Sequence, residues 1–183
     1  MIKYYYISPD KKIQACGPQR EAYHDKANAR ILVIDGIPIA QQRPRATIRG
    51  KGKKKFVHMY TVNSKHKKKL QSLLVQNPIF EEATFIYALA LYTPPKSWSG
   101  AKKERSYGKR KLTKPDGTNI LKFYEDLLEG YLFPRDQYAN PTMCERFYAT
   151  KNKIVFSAMV SDELTYNLPR LLKQYFLETM FIK

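Results

Sequence analysis

The chain has 183 residues, the length of one domain or of a domain with an extension, and its 43% apolar and 13% aromatic residues suffice for a proper core, which excludes a disordered basic tail. It carries 33 Lys and Arg against 16 Asp and Glu, a formal charge of +17. The longest apolar run, Phe85 to Tyr92, is far short of the roughly 20 residues of a membrane span; Met1 to Ser8 lacks the apolar stretch of a signal peptide, and two cysteines with three scattered histidines make neither a disulfide framework nor zinc-ligand spacing, so a reduced, cytoplasmic protein is expected.

The first 30 residues are tyrosine-rich and poorly patterned, and are set apart as an N-terminal extension. Ile31 to Asp35 is a short β-rich run closed by Gly36, a first strand of the core. Arg43-Pro44-Arg45 opens a ribbon through Ile48, with a Gly/Lys-rich turn at Gly50 to Lys55 and a returning strand from Phe56 to Val62. Ser64 is the expected N-cap of a helix over Lys65 to Gln76, ended by Asn77-Pro78. Phe85 to Tyr92, bounded by Thr93-Pro94-Pro95, reads as a central strand, and Pro94 to Pro115 as a long polar loop. From Asn119 to Gly130 the helical period places Ile120, Leu121, Phe123, Tyr124, Leu127 and Leu128 on one arc, with Gly130 as the stop. Met143 to Ala149 and Lys153 to Val160 read as a hairpin around Thr150-Lys151-Asn152, and Asp162 to Phe181 as a closing helix interrupted at Pro169.

The charge is unevenly spread. Between Gly36 and Phe80 there is no Asp or Glu, while Arg43, Arg45, Arg49, Lys51, Lys53, Lys54, Lys55 and four lysines from Lys65 to Lys69 fall there. A second basic stretch runs from Lys96 to Lys114 and includes Lys102, Lys103, Arg105, Lys109, Arg110 and Lys111 against the single Glu104. Lys and Arg that neutralise phosphates release counterions, so such segments point to nucleic acid. A solvated basic face or a patch for anionic lipid is the plainer alternative. Aromatic residues among the cations, Tyr60, Trp98 and Tyr107, and the lack of a basic amphipathic helix favour nucleic acid.

Between Asp116 and Asp136 the balance reverses, with Glu125, Asp126 and Glu129 between them. Phosphodiester hydrolysis at neutral pH needs charge neutralisation and an activated water, which a hard cation on a few carboxylates supplies. Asp116 stands just before the helix, Asn119 in its first turn, Lys122 a turn further, and Asp136 after its exit through Phe133-Pro134. The plainer reading makes Asp116-Gly117 an ordinary turn and Lys122 with Asp126 a surface pair.

These residues resemble the RusA family of Holliday junction resolvases of bacteria and their phages, over about residues 31 to 160. Ile34-Asp35-Gly36-Ile37-Pro38 leading into Arg43-Pro44-Arg45 is similar to the family's opening strand and Arg-Pro-Arg segment, and Thr93-Pro94-Pro95-Lys96-Ser97-Trp98-Ser99 to the loop after its central strand. Lys114-Pro115-Asp116-Gly117-Thr118-Asn119-Ile120-Leu121-Lys122-Phe123, then Asp126-Leu127-Leu128 and Phe133-Pro134-Arg135-Asp136-Gln137, is similar to its pattern Asp-x-Asp-Asn-x-x-Lys, Asp-x-Leu and an acidic turn. Thr118 stands where the second aspartate is expected, and Arg135 replaces the first residue of the acidic pair.

The resemblance implies an α+β fold, a small mixed β-sheet with helices packed on it, in a nuclease domain over residues 31–160; residues 161–183, outside the matched region, are set apart as a helical extension. It implies a two-fold homodimer that nicks four-way DNA junctions in pairs with Mg²⁺ or Mn²⁺. Asp116 and Asp136 would hold the metal and Lys122 the scissile phosphate, with Thr118, Asn119 and Asp126 in support. DNA would be gripped by Arg43, Arg45, Arg49, Lys51, Lys53, Lys54, Lys55, Lys96, Trp98, Lys102, Lys103 and Lys114, with Trp98 either stacking on a base or packing in the core. Because Thr118 removes one negative charge, a junction-binding protein with weakened or lost catalysis is the alternative; a ribosomal type of RNA-binding protein fits the composition but not the acidic island.

Overall fold

The computed structural model describes residues 1–8, 10–17, 29–43, 45–51, 54–60, 62–74, 85–133, 142–159 and 167–177. Among the described residues eight strands and four helices follow in the order β1 (Ile2–Ile7), β2 (Ile13–Cys16), β3 (Ala29–Asp35), β4 (Arg45–Arg49), β5 (Phe56–Tyr60), α1 (Ser64–Gln71), β6 (Phe85–Tyr92), α2 (Gly100–Ser106), α3 (Gly117–Leu128), β7 (Thr142–Tyr148), β8 (Lys153–Met159) and α4 (Leu168–Phe176). This is an α+β fold built on a mixed six-stranded sheet of order β2-β1-β3-β8-β6-β7, beside a separate two-stranded ribbon, β4-β5.

All eight residues of β6 are buried, as expected for an apolar run with no polar alternation, because both sheet faces are covered. Ile86, Ala88, Ala90 and Tyr92 face a core shared with α3, while Phe85, Tyr87, Leu89 and Leu91 face one shared with α4. The six apolar residues of α3 named by its helical period are all buried. Burying a side chain of this size contributes about 1.5–3 kcal/mol, so that arc holds the helix on the sheet. Phe123 and Tyr124 meet edge to face with centroids 5.1 Å apart, and Tyr124 reaches Phe156 of β8 at 6.4 Å.

Four local expectations are corrected. β7 and β8 are not a hairpin: β6 lies between them, parallel to β7 and antiparallel to β8. Both apolar strands gain a buried partner this way, and the link over Thr150 to Asn152 crosses the end of β6, where the Ala149 amide donates to Tyr92 O at 2.8 Å and the Thr93 amide to Asn152 Oδ1 at 2.8 Å. The polar stretch from Pro94 to Pro115 contains α2, whose N-cap Ser99 accepts from the Lys102 amide. Asn63 rather than Ser64 precedes α1, and no side chain caps it. α3 begins two residues early, at Gly117. Pro169 lies in the first turn of α4, where its missing amide costs nothing because that donor has no intrahelical partner; residues 162–166 and 178–181 of the expected closing helix lie outside the described residues.

The first 30 residues, set apart in the sequence as an extension, place two strands in the main sheet: β1 pairs with β3 from Ile2↔Ile34 to Ile7↔Ala29, and β2 with β1. At the other margin, residues 108–111 run along β7, with Lys111 N donating to Arg146 O at 2.8 Å and Tyr148 N to Lys109 O at 3.0 Å. That segment covers an edge otherwise open to pairing with a foreign strand.

Candidate active site at the start of α3

Asp116 is the N-cap of α3, in extended backbone conformation, and its carboxylate takes two bonds from one residue. Oδ1 accepts from the Asn119 amide at 2.9 Å and Oδ2 from the Asn119 side-chain amide at 2.9 Å. The helix N-terminus favours the negative charge. Asp116 remains exposed, so its remaining lone pairs face solvent.

The segment before the helix is held from beneath by two cations. Arg146 Nη1 of β7 donates to Thr113 O at 2.9 Å and to Pro115 O at 2.6 Å. Lys111 Nζ donates to Thr113 O and Thr113 Oγ1, each at 2.9 Å, and to Lys114 O, while lying 4.8 Å from the centre of the Tyr92 ring. Lys111 is buried, and desolvation, with repulsion from Arg146, pulls its pKa down. Gly117 lets α3 approach β7: a Cβ there would stand 3.2 Å from Cys144 O. Burial pushes the Cys144 thiol up to about 12, so it is a packing residue here and not a nucleophile.

Residues 39–42 form the opposite wall. A cleft of about 580 Å³ runs between Gln41 and Gln42 on one side and Pro115, Asp116 and Asn119 on the other. Its size lies within the range of small-molecule clefts, enough to admit a nucleotide-sized group. The Gln41 amide donates to Asn119 O at 2.7 Å, and Gln41 Nε2 to Asp126 Oδ2 at 3.2 Å.

The structure therefore brings Asp116 and Asn119 together and leaves Asp126 apart. Ten residues separate the two aspartates, about 15 Å of axial rise along the helix. Thr118 and Lys122 are exposed on α3. Asp136, Arg135 and Lys53 lie outside the described residues. Arg43, Arg45, Arg49, Lys51, Lys54, Lys55, Lys96, Lys102 and Lys114 are exposed, and Lys103 is half-buried with Nζ on Lys96 O at 3.1 Å. Trp98 is half-buried against Tyr148 at 5.4 Å between ring centres, with Lys102 Nζ 4.5 Å from its centroid. In the ribbon, opposed pairs share a face. Arg45↔Tyr60, Thr47↔His58 and Arg49↔Phe56 thus form a basic and aromatic face, and Ala46↔Met59 with Ile48↔Val57 an apolar one.

Among the described residues no three of His, Cys, Asp or Glu cluster as a metal cage. Mg²⁺ does not require one: it is commonly held through one or two carboxylates, its own waters and a substrate phosphate. An exposed carboxylate with open lone pairs, two residues before the exposed Thr118 on the first turn of α3, fits that donor chemistry. The sequence marks Asp116 and Asn119 as candidates and names Lys111 only among the basic residues, while Gln41 and Arg146 go unmarked in it. Gln41 carries no periodic signal in Ile39-Ala40-Gln41-Gln42, and Lys111 is indistinguishable in sequence from the cations around it.

Residues 35–157 match the family model of endodeoxyribonuclease RusA, and the chain belongs to that family. Its members are Holliday junction resolving endonucleases that bind branched DNA and generally depend on divalent metal. The chain is also 29% identical over 137 residues to "Uncharacterized protein YqaN" of Bacillus subtilis (strain 168), covering 67% of this chain and 90% of that protein. No solved structure matches. No helix among the described residues is long and apolar enough to cross a membrane.

Proposed function

We propose that this chain resolves four-way DNA junctions by Mg²⁺- or Mn²⁺-dependent phosphodiester hydrolysis, as a two-fold homodimer that places one nick per subunit, in recombination and repair in the cytoplasm of a bacterium or a phage host. The observation that carries this reading is the exposed Asp116 carboxylate, fixed by Asn119 at a helix N-terminus in a chain of charge +17. Catalytic carboxylates beside a phosphate-binding surface have no role in a protein that only grips phosphates.

Asp116, with Asp136, would hold the metal, which when bound supplies charge neutralisation at the phosphate and an acidified water. Lys122 is assigned to the scissile phosphate and the charge developing on it. Asn119 fixes the rotamer of Asp116, while Lys111 and Arg146 hold the loop that delivers it, so the carboxylate is oriented before DNA arrives. The ribbon cations Arg43, Arg45, Arg49, Lys51, Lys53, Lys54 and Lys55 and the α2 cations Lys102 and Lys103, with Lys96 and Lys114, are assigned to the DNA backbone. Trp98 is assigned to support α2, because its ring packs on Tyr148 and under Lys102.

Thr118 favours a second reading, a junction-binding protein in which cleavage is weakened. One comparison separates the two: a labelled four-way junction against linear duplex, with Mg²⁺ or Mn²⁺, using wild type and Asp116→Asn. Paired nicks in the junction alone, slowed about 100-fold or more by the substitution, are expected. Tight junction binding without nicks would establish the second reading.

A further inference from the structure

Residues 38–41, upstream of the β4-β5 ribbon, are bonded to the core and to α3. Pro38 O accepts from Tyr92 Oη at 3.2 Å, the Ile39 amide donates to Tyr124 Oη at 3.2 Å, and the Gln41 amide donates to Asn119 O at 2.7 Å. The chain leaving the ribbon returns through Asn63, whose side-chain amide donates to Ala40 O at 2.8 Å. Both legs of the ribbon are thus joined at its base. Gln41 Nε2 then donates to Asp126 Oδ2 at 3.2 Å. Asn119 and Asp126 are seven residues apart on one stripe of α3, about 10.5 Å of rise, and Gln41 reaches both.

We infer that Gln41 and Asp126 form a latch that sets the angle of the ribbon on α3 and thereby aligns ribbon-bound DNA with Asp116. The functional half of this inference rests on the endonuclease reading; the geometric half does not. A two-stranded ribbon has little stability of its own, so its orientation is decided where it is attached. Five residues of strand extend about 17 Å. A tilt of about 10° at the base therefore displaces the tip by about 3 Å, and misplacements of about 1 Å already cost an enzyme about 100-fold. Gln41 and Asp126 are positioning residues. Asp126 has its partner in Gln41 and lies too far along α3 to share a ligand with Asp116.

The test compares wild type, Gln41→Leu, Asp126→Ala, Asp126→Asn and the Gln41→Leu/Asp126→Ala pair. Single-turnover nicking of a junction is expected to fall about tenfold in Gln41→Leu and in Asp126→Ala, with nicks spread to neighbouring phosphodiesters and junction Kd within about twofold of wild type. The pair should be no slower than its slower member, because both changes open the same contact. Asp126→Asn, whose amide oxygen still accepts from Gln41, should stay within about threefold of wild type. If Asp126→Asn is as slow as Asp126→Ala, or the losses multiply in the pair, the latch is overturned. A second readout does not depend on cleavage: spin labels at Lys54→Cys and Glu129→Cys, in a Cys16→Ser/Cys144→Ala background, report the distance between ribbon and α3. A narrow distribution that broadens in Gln41→Leu and Asp126→Ala but not in Asp126→Asn supports the latch, even if the wild type makes no nick and the endonuclease reading falls. An unchanged distribution in Gln41→Leu sinks the latch whatever the nuclease does.

Discussion

At the scale of single residues, the carboxylate of Asp116 caps α3, and the metal-holding role proposed for it can be separated from that capping. Asparagine caps a helix as well as aspartate does, whereas alanine does not. Asp116→Ala is therefore expected to cost about 1 kcal/mol of stability in a denaturant titration, and Asp116→Asn close to nothing. A loss of nicking in Asp116→Asn then reports chemistry and not folding. Thr118 invites the opposite change. A carboxylate restored there, beside Asp116 on the exposed first turn of α3, adds about 2 kcal/mol of attraction for a divalent cation at about 4 Å even at the dielectric of bulk water. Thr118→Asp should lower the Mn²⁺ concentration for half-maximal nicking about tenfold or more; a loss of activity would instead mark a site adapted to threonine.

At the scale of elements, α4 is held on the sheet by its buried Leu168, Leu172 and Phe176 and tied to it further through one buried carboxylate. Glu145 of β7, 7% exposed, accepts from Tyr87 Oη at 2.7 Å, from Arg110 Nη2 at 3.2 Å and pairs with Lys173 Nζ of α4 at 3.0 Å. Burial raises its pKa, but the bonds from Tyr87 and Lys173 and the two nearby positive charges outweigh that, and the net direction is down from 4.5. A carboxyl held down in the folded state contributes stability that is present above its unfolded value and is lost as pH falls through the folded one. Glu145→Gln should thus lower stability by about 1–3 kcal/mol at pH 7, and the gap in Tm to wild type should close as pH drops below 4.5. Thermal melts across that range measure it. Such an element shows how far the sequence could be read. β3, the ribbon, β6 and α3 were legible because each carries its own period or its own turn signal. The N-terminal strands were not, since Tyr4, Tyr5 and Tyr6 lack the alternation of a half-buried strand, and both pairing partners of β1 are needed to make it one. Strand neighbours across the sheet leave no local trace, so the insertion of β6 between β7 and β8 was invisible. In the site, Asp116 and Asn119 were legible from a motif at fixed spacing; Gln41 and Arg146 act through backbone carbonyls and side chains that only the tertiary fold places beside them.

At the scale of the whole molecule, the charge of +17 and its acid-free run from Gly36 to Phe80 imply binding that is lost in salt. With about six phosphates contacted, junction affinity should fall about 10³-fold between 50 and 200 mM salt. Fluorescence anisotropy at several salt concentrations checks this, and a flat response would remove the basic surface from the account. The place of β8 in the sheet has a consequence of another kind. It joins β3 to β6 and is made after both of them and after β7. Until residues 153–159 have left the ribosome, β1-β2-β3 and β6-β7 are two unconnected pieces, each with a bare apolar edge, so nascent chains stalled before Lys153 should be the species that aggregates or recruits chaperones.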